Sequence, residues 1–288
     1  MTNISNISAI LSTLGITETD DTKKKDESPK PKNVPSTDTV TISPDSTVVS
    51  DEDKTANHIA KVQAKMLLAI ASRDENSLQQ YTKMLEGLNP EKTPLPPKVR
   101  ALYKTALYKL PFDLQRIEAR LERATLNKDD VTVRVYEEQK TMIQTLQGLY
   151  KDFLAKSVTA QAAQPPNPNE PKRNPDEVVR AQGELTLGLV SRDYNAVAAA
   201  SEKLETLQAE KVELPPRVIE AYRTGFNMFT NEKLPGAQQR LELARNTKND
   251  DAVQQYQEQV TLYQILAGLY QGFIEQSEAA SVVQSVQE

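Results

Sequence analysis

The chain repeats itself, and this repeat constrains the fold more than any other feature of the sequence. Residues 72–88 read SRDENSLQQYTKMLEGL and align with SRDYNAVAAASEKLETL at 191–207, an offset of 119 residues. Residues 148–157 read GLYKDFLAKS and align with GLYQGFIEQS at 268–277, an offset of 120 residues. Matching segments follow one another in the same order, so the sequence predicts two duplicated modules, module 1 at 57–157 and module 2 at 177–277.

Composition favours helices in both modules. Glycine is scarce at nine residues, Trp is absent and aromatic residues make up 5% of the chain, whereas Ala, Leu, Gln, Glu and Lys are plentiful. The plentiful residues have high helix propensity, and strands prefer aromatic and β-branched residues. Apolar residues recur at helical spacing, for example Val99, Leu102, Tyr103 and Ala106. The sequence therefore predicts an all-α fold with four to five antiparallel helices in each module.

Segments of different composition lie outside the modules. Residues 17–56 are rich in Ser, Thr, Asp, Lys and Pro, and such a composition predicts a disordered tether. Residues 158–176 contain AQPPNPNEPKRNP, which predicts a semi-rigid, proline-rich linker. The tail at 278–288 is expected to fray.

Residues 1–16 are a candidate docking or targeting segment. Ile7, Ile10, Leu11 and Leu14 lie on one face if this segment is helical, which suits partner binding, and a frayed terminus is the alternative. No Lys or Arg precedes its apolar part, and the chain has no apolar run of about 18 residues. The sequence predicts no Sec signal and no membrane span, and a location that is cytoplasmic or reached by a non-Sec route.

The two modules differ in charge. Module 1 has 17 Lys and Arg against 12 Asp and Glu, a net charge of +5, and module 2 has 10 against 14, a net charge of −4. The modules could attract each other within one chain or between two chains, or the difference could simply be drift on solvated faces. Attraction predicts compaction that weakens with salt. The whole chain has a net charge of −5, which does not favour nucleic-acid binding.

Residues that could carry enzyme chemistry are few. His58 is the only histidine and cysteine is absent, so neither a zinc site nor a His-dependent triad is predicted. The pairs Asp129-Asp130 and Asp250-Asp251 read as caps of the last helix in each module. No Gly-rich phosphate loop or Gly-x-Ser-x-Gly motif occurs. We therefore expect no enzyme activity, cofactor or metal, with a carboxylate-based enzyme as the less favoured alternative.

Tyrosines that occur in both modules are candidate core or groove residues. Tyr103 matches Tyr222, and Tyr150 matches Tyr270. If they line a groove, they would suit capture of an amphipathic partner helix. Gly148 and Gly268 interrupt helical patterns in both modules, and we expect another helix to approach closely there.

One hairpin in each module resembles a tetratricopeptide repeat. The second helix of that hairpin is similar to residues 72–90, which end in Asn89-Pro90, and to residues 191–207. Leu187-Gly188 stands where the family places Leu-Gly. The family's period of about 34 residues is missing. The resemblance implies a helical array that binds proteins.

A shorter resemblance concerns DTVTISPDS at 38–46, which is similar to a segment near the N-termini of bacterial flagellum-associated proteins. It implies a bacterial source and, as an alternative function, a secreted or surface-apparatus component. The sequence as a whole favours a non-enzymatic protein-protein interaction or scaffold protein.

Overall fold

The computed structural model describes residues 51–163 and 173–287, and these residues form helices and turns with no strand. The prediction of an all-α fold is therefore confirmed. In the first part of the chain the helices are α1 (Asp51–Ser72), α2 (Glu75–Gly87), α3 (Pro97–Leu126) and α4 (Asp130–Ala162). In the second part they are α5 (Pro175–Ser191), α6 (Tyr194–Thr206), α7 (Pro216–Met228), α8 (Leu234–Asn246) and α9 (Asp250–Gln287).

Four tight turns join paired helices in the same way. In each turn one residue adopts the left-handed conformation immediately before the residue that caps the next helix: Arg73, Lys128, Arg192 and Lys248. The carboxylate of Asp74, Asp129 or Asp193 then accepts backbone N–H groups of the new helix. At the fourth turn the cap is Asn249, whose Oδ1 accepts the Ala252 N–H at 3.1 Å. The prediction that Asp250-Asp251 caps this helix is therefore corrected, because both lie in its first turn.

The same buried contacts recur in the two modules. The Leu95 N–H donates to Ser157 Oγ at 2.8 Å, and the Leu214 N–H donates to Ser277 Oγ at 2.8 Å. Leu95 precedes α3 and Ser157 lies near the end of α4, so these two helices run antiparallel. The duplication remains an inference from the sequence, which these paired contacts support.

The two modules differ where each contains a proline. Pro111 lies inside α3, which continues through it as one helix. In module 2 the matching helix is divided by a π-helical turn, Phe229–Lys233, and Pro235 stands in the first turn of α8. Neither proline can donate a backbone hydrogen bond, so each leaves one preceding carbonyl without its helical donor, and in module 2 the π-helical turn lies immediately before Pro235.

Helices extend beyond the predicted module boundaries. α1 begins at Asp51, inside the predicted tether, and buries Ala56. α4 continues to Ala162, inside the predicted linker, and buries Ala160. α9 continues to Gln287, through most of the predicted tail, where Glu278 accepts a hydrogen bond from Arg223 at 2.8 Å. Within the described ranges, no helix is both long and apolar enough to cross a membrane.

The glycines shared by the two modules do not mark helix crossings. A Cβ placed on Gly148 or Gly268 would have no atom of another described helix within 4 Å, so the expected close approach of another helix there is wrong. The close approaches occur at other glycines. A Cβ on Gly188 would lie 3.0 Å from Val197 Cγ2, and one on Gly225 would lie 2.5 Å from Tyr270 Cε2.

Candidate protein-binding grooves

The tyrosines predicted for module 1 lie in its core. Tyr103 is 0% exposed and Tyr150 is 2% exposed, and their ring centroids are 5.2 Å apart. The Tyr103 hydroxyl donates to Gln63 Oε1 at 3.1 Å, and burial raises the pKa of both phenols. A partner would therefore have to contact other residues of this module.

The matching tyrosines of module 2 are half-buried. Tyr222 stacks on Tyr270 with centroids 5.4 Å apart, and its hydroxyl donates to Gln182 Oε1 at 2.8 Å. Burial, together with the neighbouring Tyr270, raises the pKa of Tyr222 to about 12. The other predicted partner-binding residues, Ile7, Ile10, Leu11 and Leu14, lie outside the described residues, as do the segment at 38–46 and residues 164–172 of the proline-rich linker.

A groove in module 2 is covered by a helix of module 1. Helices α6 and α9 form the walls of this groove, and α3 lies across it. A cavity of about 320 Å³ remains between them. We call it the covered groove, and its lining includes Leu185, Leu204, Leu269 and Phe273 from module 2 with Leu107 and Tyr108 from α3.

A buried ion pair connects α3 to this groove. Arg100 Nε donates to Glu205 Oε2 at 2.5 Å, and the two side chains are 6% and 5% exposed. Lys104 contacts the other carboxylate oxygen of Glu205. A second nitrogen of Arg100, Nη1, donates to the Leu95 carbonyl at 2.5 Å. Both Glu205 oxygens therefore have a basic partner, as a buried carboxylate requires.

The charges around Glu205 change the pKa values of its neighbourhood. Burial would raise the pKa of Glu205, but Lys104 and Arg100 outweigh burial and hold this pKa below its ordinary value. Burial, with a smaller effect of the Glu205 charge, raises the pKa of Tyr108 to about 12. Glu205 is therefore held as a carboxylate and Tyr108 as a neutral phenol at neutral pH.

The later part of α3 contacts module 2 through a second set of polar groups. Thr261 Oγ1 donates to Gln115 Oε1 at 2.8 Å. Glu258 accepts from Arg192 Nη1 at 2.5 Å and lies 3.7 Å from Arg116 Nε. These contacts extend along α3 from Arg100 to Arg116, so the helix contacts module 2 over more than four turns.

Module 1 has a corresponding groove that no described residue of the second module covers. Its cavity is about 280 Å³, between α2, α4 and the end of α1, and ten of its eleven lining residues stand at repeat positions of the covered groove's lining. Glu86, Leu149 and Phe153 here correspond to Glu205, Leu269 and Phe273 there. We call it the open groove.

The structure shows what surrounds Asp129 and His58, two of the residues considered for enzyme chemistry. Asp129 Oδ1 accepts the Thr132 N–H at 3.1 Å, and its other oxygen accepts from the Thr132 hydroxyl at 2.6 Å. These hydrogen bonds lower the pKa of Asp129. His58 is exposed on α1. Among residues 51–163 and 173–287, no group of three His, Cys, Asp or Glu side chains is placed to hold a metal ion.

Arg100 and Glu205 could not be found by matching the modules alone. In the repeat alignment Glu86 matches Glu205, but Arg100 matches Ile219. The repeat therefore does not contain a second ion pair of this kind. The sequence feature that indicates this contact is the series Arg100, Lys104 and Tyr108, which places two basic residues and an aromatic residue on one helical face.

Comparison with known proteins adds no relative. The chain matches no protein-family model, and no curated protein or solved structure is significantly similar to it.

Proposed function

We propose that the protein is a non-enzymatic protein-protein interaction or scaffold protein whose modules bind helices in grooves. The observation that carries this proposal is the position of α3 across the covered groove, with Arg100 paired to Glu205 at 2.5 Å. An amphipathic helix lying in an apolar groove is a common mode of protein recognition.

The open groove provides the corresponding surface for a partner. Its apolar lining includes Met66, Leu149 and Phe153, and its rim includes the exposed Glu86 and Glu91. Apolar floors with polar rims are typical of sites that hold a partner helix. The scaffold function then consists of module 2 holding module 1 while module 1 holds a second protein.

The likeness to tetratricopeptide hairpins is part of the same proposal. α5 and α6 approach so closely that a Cβ on Gly188 would lie 3.1 Å from the Val197 backbone nitrogen. Leu187-Gly188 is the pair that resembles the family's Leu-Gly, and a glycine at this point permits two helices to pack closely. This packing supports a helical array that binds proteins.

Site-specific photo-cross-linking tests the proposed function. A benzoylphenylalanine replaces Glu91, which is exposed at the open groove, and in a control it replaces Leu126, which is 76% exposed at the end of α3. We expect a protein adduct of defined mass in extract of the source cells from the Glu91 position alone. If neither position, or both equally, gave adducts, binding through this groove would be ruled out.

A further inference from the structure

The charge of the open groove is opposite to the charge of the module that contains it. Module 1 has a net charge of +5, yet the groove is lined by Glu86, Glu91 and Asp152 with a single lysine, Lys156. Asp152 and Lys156 pair with each other at 2.8 Å. In the described part of the chain, Glu86 and Glu91 have no ion-pair partner within 4.0 Å. Local charge, which acts at short range, therefore favours a basic partner.

The covered groove shows how its equivalent glutamate binds a helix. Glu205 occupies in α6 the position that Glu86 occupies in α2, and it accepts from Arg100 while contacting Lys104. These two basic residues are four positions apart, so they stand on one face of α3. Glu205 is 6% exposed beneath α3, whereas Glu86 is exposed.

The apolar parts of the two grooves also correspond. In the covered groove, Leu269 and Phe273 line the cavity together with Leu107 and Tyr108 of α3. Leu149 and Phe153 take the same positions in the open groove. Leu107 and Tyr108 lie three and four residues beyond Lys104, so one helical face carries both the charges and the apolar contacts.

We propose that the open groove binds an amphipathic helix that carries two basic residues one turn apart, followed one turn later by an aliphatic and an aromatic residue. This inference rests on the proposed function, and it adds the chemical class of the partner. Asp152 stands where the covered groove has Gly272, and its carboxylate pairs with Lys156, so Glu86 and Glu91 are the carboxylates that the open groove offers to a partner.

The open groove fits a separate protein better than it fits a second copy of this chain or residues 1–16. If a second copy docked in the same way, its α7 would lie in the open groove. In α7, Ile219 stands at the position of Arg100, and Arg223 already donates to Glu278 at 2.8 Å. Residues 1–16 contain no Lys or Arg. Neither segment supplies the two basic residues that pair with the glutamate in the covered groove.

Fluorescence anisotropy with the full chain tests this inference. The probe is a labelled peptide of residues 97–113, PKVRALYKTALYKLPFD, which contains the helix face seen in the covered groove. The matched peptide carries Arg100→Glu and Lys104→Glu. We expect the first peptide to bind at least about tenfold more tightly than the second, because opposite charges attract across the groove and like charges repel.

Protein variants assign the binding to the open groove. We expect Glu86→Lys to weaken binding of the first peptide about tenfold or more, and Glu122→Lys, which makes the same change at an exposed position of α3, to leave it unchanged. Higher salt should weaken the interaction. Equal binding of the two peptides, or of the peptide to wild type and Glu86→Lys, would overturn the inference.

Two further outcomes would assign the groove to this chain itself. Unlabelled full chain that displaces the peptide while dimerising would indicate a second copy. Binding that appears only after deletion of residues 2–16 would indicate that segment. Either outcome overturns the inference.

The two proposals fail differently. A cross-link at Glu91 together with equal binding of the two peptides would overturn only the inference of a basic partner. Absence of both the cross-link and the difference between the peptides would overturn both proposals.

Discussion

Arg100 Nε donates to Glu205 Oε2 at 2.5 Å, although the two residues are 105 positions apart and belong to different modules. Their side chains are 6% and 5% exposed, so the pair is enclosed between α3 and α6. Since a buried charge without a partner costs several kcal/mol, each residue requires the other. We therefore expect the two modules to depend on each other for stability.

Removal of one partner of this pair should destabilise the whole chain. We expect Glu205→Ala to lower the free energy of unfolding by about 3 kcal/mol, because Arg100 would remain buried without its carboxylate. Glu184→Ala is the matched control, since Glu184 pairs with Lys203 at 3.2 Å with both side chains 40% exposed or more, and it should cost under about 1 kcal/mol. Urea unfolding measures both.

A double variant separates the cost of an unpaired charge from the value of the pair. Replacing both Arg100 and Glu205 with Leu leaves no buried charge, so the loss should be smaller than for Glu205→Ala. A double variant as unstable as the single one would mean that the two charges do not act as a pair.

The same pair predicts how stability changes in acid. The folded protein holds the pKa of Glu205 below its ordinary value of 4.5, so the contribution of Glu205 to stability is fully present above pH 4.5 and is lost as the pH falls through the lower folded pKa. In the Glu205→Gln variant this loss should be absent, and the free energy of unfolding should fall less steeply below pH 4.5. Identical slopes in urea titrations of the two proteins would contradict the lowered pKa.

Two buried serines should respond in opposite ways to the same substitution. Ser157 Oγ accepts the Leu95 N–H at 2.8 Å, so Ser157→Ala leaves a buried donor without a partner and should cost about 1–3 kcal/mol. Ser201 is 2% exposed and its hydroxyl has no hydrogen-bond partner among the described residues, so Ser201→Ala leaves no donor there without a partner and should not destabilise. Thermal and urea unfolding of both variants measure the difference. Equal losses would mean that the Leu95 contact adds nothing.

Two helical glycines should also differ. Gly148 is exposed with no atom within 4 Å of a Cβ, so Gly148→Ala should stabilise α4 by about 1 kcal/mol through helix propensity. In Gly225→Ala the new Cβ would lie 2.5 Å from Tyr270 Cε2, and the ring would have to move out of its stack on Tyr222. Overpacking costs typically about 1–3 kcal/mol, which exceeds the gain in propensity, so Gly225→Ala should lower the melting temperature. A rise in melting temperature for both variants would contradict the packing of Tyr270.

The all-helical fold follows from local patterns in the sequence. Helical spacing places Tyr103 among apolar neighbours, and Asp129 marks the start of a helix, because capping and amphipathic spacing are local properties of the chain. The predicted close approach at Gly148 and Gly268 is wrong, because spacing along one helix does not show which neighbouring helix lies opposite.

Which of the two grooves is filled depends on how the helices pack. The repeat makes Glu86 and Glu205 equivalent in sequence, yet Glu205 lies beneath α3 and Glu86 is exposed. The difference arises because α3 of module 1 extends Arg100 and Lys104 towards module 2, over a separation of 105 residues between Arg100 and Glu205. A contact between such distant residues depends on how whole helices pack, and no local pattern of residues encodes that packing.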